Sequence, residues 1–134
     1  MEILQSDVLQ IRQPEDIVLV RTAVRKIAIA SKLGLVDQTK LVTAASEIAR
    51  NTLDYGLGGE VRVDMVRDAR TGVRLTFTDE GPGIPDLERA MTDGWTSGKG
   101  MGLGLSGTRR LMDEFQIASK VGEGTTVTIA KWSR

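Results

Sequence analysis

The chain opens on an extended run, residues 2–11, whose apolar and polar positions alternate poorly; it predicts an edge strand. Pro14 then reads as the first residue of a helix, where its missing N–H costs nothing. Ile17, Val20, Val24, Ile27 and Ser31 follow at three-and-four spacing, Arg21, Arg25 and Lys26 face elsewhere, and Gly34 is expected to end the element. Asp37 is expected to cap a second helix running to about Tyr55, stopped by Gly56-Leu57-Gly58-Gly59. The pattern then changes to period two. Val61, Val63 and Met65 share one strand face; Val73, Leu75, Phe77 and Asp79 share another, with Arg70-Thr71-Gly72 as the turn.

From Gly81 to Gly104 the chain is rich in Gly, Pro, Asp, Ser and Thr, with one helical turn around Leu87–Met91. A connection this long inside a compact domain is ordinarily a functional loop. Leu105, Thr108, Met112 and Phe115 return to helical spacing. A short strand near 116–121, a turn at Gly122-Glu123-Gly124 and a strand through 125–132 complete the pattern. The sum predicts one α+β domain over residues 1–134, with helices on one face of a mixed, mostly antiparallel sheet.

Composition narrows the chemistry. Lys+Arg and Asp+Glu are equal at 18 each, so no net field draws the chain to nucleic acid or an anionic membrane. There is no cysteine and no histidine, which removes disulfides, thiolate metal sites and imidazole catalysis. No run approaches the roughly 18 apolar residues of a membrane span, and the first residues lack a basic-then-apolar signal pattern. The expected location is the cytoplasm.

Three patches carry the candidate chemistry. On the second helix, Leu41, Ala44, Ala45, Ile48, Thr52 and Tyr55 form the predicted buried face, and Glu47 and Asn51 lie one turn apart along its border. A carboxylate and a carboxamide there suit an ion or a reacting group; an isolated pair of this kind is more often a solvated one. Asp79 ends a strand on the same side as Val73, Leu75 and Phe77, so it points inward and needs a partner. An adenine amino group is one donor, and the backbone of the following turn is another. Gly81 and Gly83 let a flat ring approach the chain. Gly98, Gly100, Gly102 and Gly104 alternate before a helix, where bare amides and a helix start suit an anion, and Lys99 could neutralise a terminal phosphate. A flexible glycine hinge would use the same residues. The order is neither that of a P-loop nor that of a dinucleotide-binding fingerprint.

Together the patches resemble the Bergerat fold of the gyrase, Hsp90, histidine kinase and MutL group (GHKL). Glu47-x-x-x-Asn51 is similar to its N box, Asp79-Glu80-Gly81-Pro82-Gly83-Ile84-Pro85 to its first glycine box and Gly100-Met101-Gly102-Leu103-Gly104-Leu105 to its second. Gly122-Glu123-Gly124-Thr125 resembles the closing segment. Within the group, Ser46 to Asn51, Asp79 to Asp86, Arg110 to Phe115 and the final Lys131-Trp132-Ser133-Arg134 resemble the RsbT-type serine/threonine kinases of the stressosome, over essentially the whole chain. Gly98-Lys99-Gly100-Met101-Gly102 departs from the small residues usual there, which leaves the role of Lys99 open.

The resemblance implies a protein kinase using ATP and Mg²⁺. Glu47 would be the general base and Asn51 the magnesium ligand. Asp79 would accept from the adenine amino group, and Gly83 and Thr125 would border the base. Gly102, Leu103 and Gly104 would bind phosphates, with Gly81, Ile84, Lys99, Gly100 and Leu105 completing the nucleotide set. A lid would run from about Asp86 to Met101. The implied substrate is a Ser or Thr of a STAS-domain protein; once it is phosphorylated, the kinase would be released to activate a PP2C-type phosphatase. Two alternatives share the site: an anti-sigma factor of the RsbW or SpoIIAB kind that sequesters a sigma factor, and an ATP-binding switch without phosphoryl transfer.

Overall fold

The computed structural model describes residues 1–84, 91 and 104–134. Among the described residues, five strands and three helices follow in the order β1 (Glu2–Ile11), α1 (Pro14–Ala30), α2 (Leu35–Asp54), β2 (Gly59–Arg67), β3 (Thr71–Asp79), α3 (Gly104–Leu111), β4 (Glu114–Lys120) and β5 (Gly124–Trp132). The strands form one sheet in the order β1-β2-β3-β5-β4. Every pairing among the described residues is antiparallel, in line with the mixed, mostly antiparallel sheet that was expected. α3 lies between β3 and β4 in sequence, and β5 returns by a hairpin to fill the place beside β3.

The period-two residues put one apolar face of the sheet under the helices. Val61 and Val63 of β2, Val73, Leu75 and Phe77 of β3, and Val127 and Ile129 of β5 join Val20, Val24 and Ile27 of α1 and Leu41, Ala44, Ala45 and Ile48 of α2 in one core. Alternation turns Arg62, Arg74, Thr76, Thr126 and Thr128 to the opposite face. Asp64 is fully buried among them, accepting from Ser6 Oγ at 2.6 Å and from Arg62 and Arg74 at 3.2 Å each. That satisfies a charge that would otherwise be costly inside a protein.

Element boundaries differ from the pattern in four places. α1 ends at Ala30, and Lys32, with φ of 70°, makes the left-handed turn assigned to Gly34. Gly34 instead precedes α2 as an extended N-cap, which moves Asp37 from the capping position into the first helical turn. The β2–β3 turn is Asp68-Ala69-Arg70, closed by Asp68 N–H donating to Arg70 O. Thr71 and Gly72 belong to β3, where a side chain on Gly72 would strike the Trp132 ring. α3 stops at Leu111, because Asp113 N–H donates to Ala130 O and Phe115 pairs with Ile129 in the sheet. The expected turn at Leu87–Met91 lies, apart from Met91, outside the described residues.

Asp37 takes part in a charged network with the last strand. Lys131 Nζ, 3% exposed, lies 3.2 Å from Asp37 and 3.4 Å from Asp113. Arg134 reaches the same two carboxylates at 3.3 and 3.0 Å. Trp132 N–H donates to Asp113 at 2.8 Å. Burial opposes charge on Asp37, but the hydrogen bond and charge of Lys131, then those of Arg134, hold its carboxyl below the usual range. For Asp113 burial is again opposed, first by the Trp132 amide and then by the two cations, with the same direction.

These shifts fix the sign of a pH effect. In the unfolded chain both carboxyls ionise near 3.8; in the fold they hold their charge to lower pH. Above about 4 the network stabilises fully; on acidification the unfolded chain binds protons first and that contribution fades. Asp113→Asn should therefore lower the melting temperature at neutral pH and flatten its decline below pH about 4. Thermal melts of both proteins from pH 7 to 3 check this, and parallel curves would refute it.

Candidate nucleotide site

The end of α2, the end of β3 and the β4–β5 hairpin meet around a cleft of about 200 Å³. Its floor is apolar: Ile48 from α2, Ile84, Leu105 from α3, Ile117 from β4 and Val127 from β5. Polar groups enter at the edges from Asn51, Thr52, Asp79 and Thr125. An apolar cleft with a few convergent polar groups is the usual build of a small-molecule site.

Asp79 is half-buried at the end of the row that runs Val73, Leu75, Phe77. Its Oδ1 accepts from Gly81 N–H at 2.9 Å and from Thr125 N–H at 3.2 Å. The first bond is the local turn-capping role open to any such aspartate. The second crosses to β5 and fixes the carboxylate plane. Among the described residues Oδ2 takes no hydrogen bond. One carboxylate thus caps its own turn and keeps an acceptor for a ligand donor.

Four glycines allow close approaches here. A side chain on Gly56 would meet the Asp79 carboxyl, and one on Gly81 would meet the Gly56 backbone. Gly124, with φ of 93°, has no room for a Cβ against Asp79 O. Gly83, with φ of 79°, is likewise closed off by Lys120 O. These approaches hold the segment after β3 against the β4–β5 turn, where Gly122 N–H donates to Pro82 O at 2.9 Å.

On α2, Asn51 lines the cleft, and among the described residues its side chain makes no hydrogen bond. Glu47 stands one turn earlier, 17% exposed, outside the cleft lining, with Arg50 Nη1 at 3.3 Å from its Oε1. The described residues hold no group of three or more carboxylates that could cage a metal. A carboxamide oxygen is a hard donor of the kind that fits Mg²⁺, which keeps several waters and takes substrate phosphates as ligands.

Of the other sequence-derived residues, Gly83, Ile84, Leu105 and Thr125 line the cleft, and Gly81 contributes its amide to Asp79. Gly104 begins α3, buried and with φ of 70°. Lys99, Gly100, Gly102, Leu103 and, apart from Met91, the segment expected as a lid lie outside the described residues. Sequence reasoning missed Gly56, Pro82 and Ile117 as lining residues, and it buried Tyr55, which is 42% exposed and lines the cleft. The Gly56-Leu57-Gly58-Gly59 run was the signal for Gly56, read there only as a helix stop.

Residues 36–133 match the family of histidine kinase-, DNA gyrase B-, and HSP90-like ATPases. The chain belongs to this family. ATP is thereby its cofactor. Among curated relatives it is similar to serine/threonine-protein kinase RsbT of Bacillus subtilis, 42% identical over 120 residues that cover 89% of this chain and 90% of that one. This similarity puts it on the serine/threonine kinase branch of the family. It is also similar to anti-sigma F factor of Anoxybacillus flavithermus, 34% identical over 71% of this chain and 69% of that protein. Among solved structures, the RsbU and RsbW domains of a Mycobacterium tuberculosis protein superpose with a TM-score of 0.67 at 21% identity. That match covers 97% of this chain and 33% of the other. A mycobacterial sensor histidine kinase, MprB, superposes at 0.58 and 20% identity, covering 97% and 99%. Both likenesses concern the fold.

Proposed function

We propose that the chain is a serine/threonine protein kinase that works by partner switching: it phosphorylates a STAS-domain protein and, once released, activates a PP2C-type phosphatase. The observation that carries this reading is the 42% identity, along nearly the whole chain, to a serine/threonine kinase. Asp79 Oδ2 accepts from the adenine amino group, and Gly83 and Thr125 border the base. Asn51 would hold Mg²⁺ through its side-chain oxygen, and the ion would supply charge neutralisation at the phosphates. Glu47 takes the proton of the attacking serine or threonine hydroxyl as its oxygen bonds to the γ-phosphorus and the bond to ADP breaks. No described helix is long and apolar enough to cross a membrane.

The test is incubation with labelled ATP, Mg²⁺ and candidate STAS-domain proteins. Label on a serine or threonine of one of them is expected; ATP binding with no transfer to any would leave a nucleotide switch. A second reading, an anti-sigma factor, is favoured by the 34% identity to anti-sigma F factor. Under that reading the immobilised protein retains a sigma factor from lysate.

A further inference from the structure

Ser119 of β4 is absent from the cleft lining yet touches two of the residues that form it. Its Oγ accepts from Ile84 N–H at 2.7 Å and lies 2.7 Å from Thr125 Oγ1 and 3.3 Å from Gly124 O. Thr125 N–H in turn donates to Asp79 Oδ1. A closed circuit therefore runs from Asp79 through Thr125 and Ser119 to Ile84, five residues beyond its start.

A hydroxyl carries one proton and two acceptor positions. The Ile84 amide occupies one acceptor position on Ser119. The proton has two destinations, and the 2.7 Å separation from Thr125 Oγ1 is the better length, since 3.3 Å is long for an O–H···O bond. With that proton on Thr125, the threonine keeps its own for the cleft. Thr125 then presents a donor beside the free acceptor of Asp79. Adjacent donor and acceptor match the ring nitrogen and amino group along one edge of adenine; guanine carries the reverse pair there.

We infer that Ser119 is a positioning residue for base recognition: its hydroxyl anchors the Ile84 wall and turns the Thr125 proton toward the base. The inference rests on the ATP-binding reading of the cleft. Valine and threonine have nearly the same shape, so Ser119→Val and Ser119→Thr differ in the hydroxyl alone. The valine variant leaves the Ile84 amide unpaired and Thr125 undirected, and should bind ATP and ADP about tenfold more weakly, by the same factor for both. GTP binding should not weaken in parallel, so the preference for ATP over GTP falls. The threonine variant should restore ATP affinity and preference.

Titration calorimetry with Mg-ATP, Mg-ADP and Mg-GTP reads all three quantities, and a nucleotide-free thermal melt establishes that both variants are folded. Equal ATP affinity in the two variants, or an equal loss for ATP and GTP, would overturn the assignment while the nucleotide site stands. Failure of the unaltered protein to bind ATP would overturn the reading beneath it as well. Should the valine variant not fold, Ser119→Ala and Ser119→Thr make the same comparison.

Discussion

Replacing Glu47 with alanine is expected to leave ATP binding intact and to lower phosphoryl transfer by on the order of 10²–10⁴. Glu47 lies outside the cleft lining, so its loss removes nothing that the base or sugar would touch. Among the described residues its one side-chain partner is Arg50, a surface pair one turn along the same helix, which contributes little to stability. The variant should therefore fold and bind. A serine or threonine hydroxyl, however, must give up its proton as it attacks, and no histidine exists in this chain to take it. Calorimetry with Mg-ATP and a labelled-transfer assay on the same sample separate the two effects. Transfer at the unaltered rate would remove Glu47 from the mechanism, and a loss of binding equal to the loss of transfer would place it in the nucleotide site instead.

Asp79→Asn has the second largest expected effect, and its sign depends on which oxygen is replaced. Gly81 and Thr125 both donate to Oδ1, so the asparagine oxygen must occupy that position to keep two backbone amides paired. The new NH₂ group then stands where Oδ2 was, donor facing donor against the adenine amino group. ATP affinity should fall by about 1–3 kcal/mol, roughly 5- to 150-fold. The same NH₂ suits the carbonyl oxygen of guanine, so GTP should bind no worse and the ratio of ATP to GTP affinity should fall. An unchanged ratio in calorimetry would mean that Asp79 serves its own turn and does not read the base.

Much of this molecule can be read along the chain. The three-and-four spacing of Val20, Val24 and Ile27, and of Leu41, Ala45 and Ile48, locates two helices because apolar side chains must share one face to leave water. The alternation of Val61 and Val63 and of Val73, Leu75 and Phe77 does the same for the central strands, and it carries Asp79 onto the inner face. Where two periods fit the same letters, the chain alone was ambiguous. Phe115 continues the helical spacing of Leu105, Thr108 and Met112, yet it also alternates with Ile117, and the β5 ladder takes it. Local end signals were misplaced for a related reason: Lys32 makes the turn given to Gly34, and Asp37 is held by Lys131 and Arg134 from the far end of the chain.

What the amino-acid order determined by itself is the set of elements, the α+β class and the order of the motifs, since these follow from neighbours within a few residues. The tertiary structure alone decided which backbone donors reach Asp79 Oδ1 from 2 and 46 residues away, and hence which oxygen remains for a ligand. It also decided that Gly56, Gly81 and Gly124 stack backbones around that carboxylate, and that Ser119 lies behind the wall holding Ile84 and Thr125. Hydrogen bonds across strands and close backbone approaches depend on register and on distance in space. No periodicity within one segment encodes either.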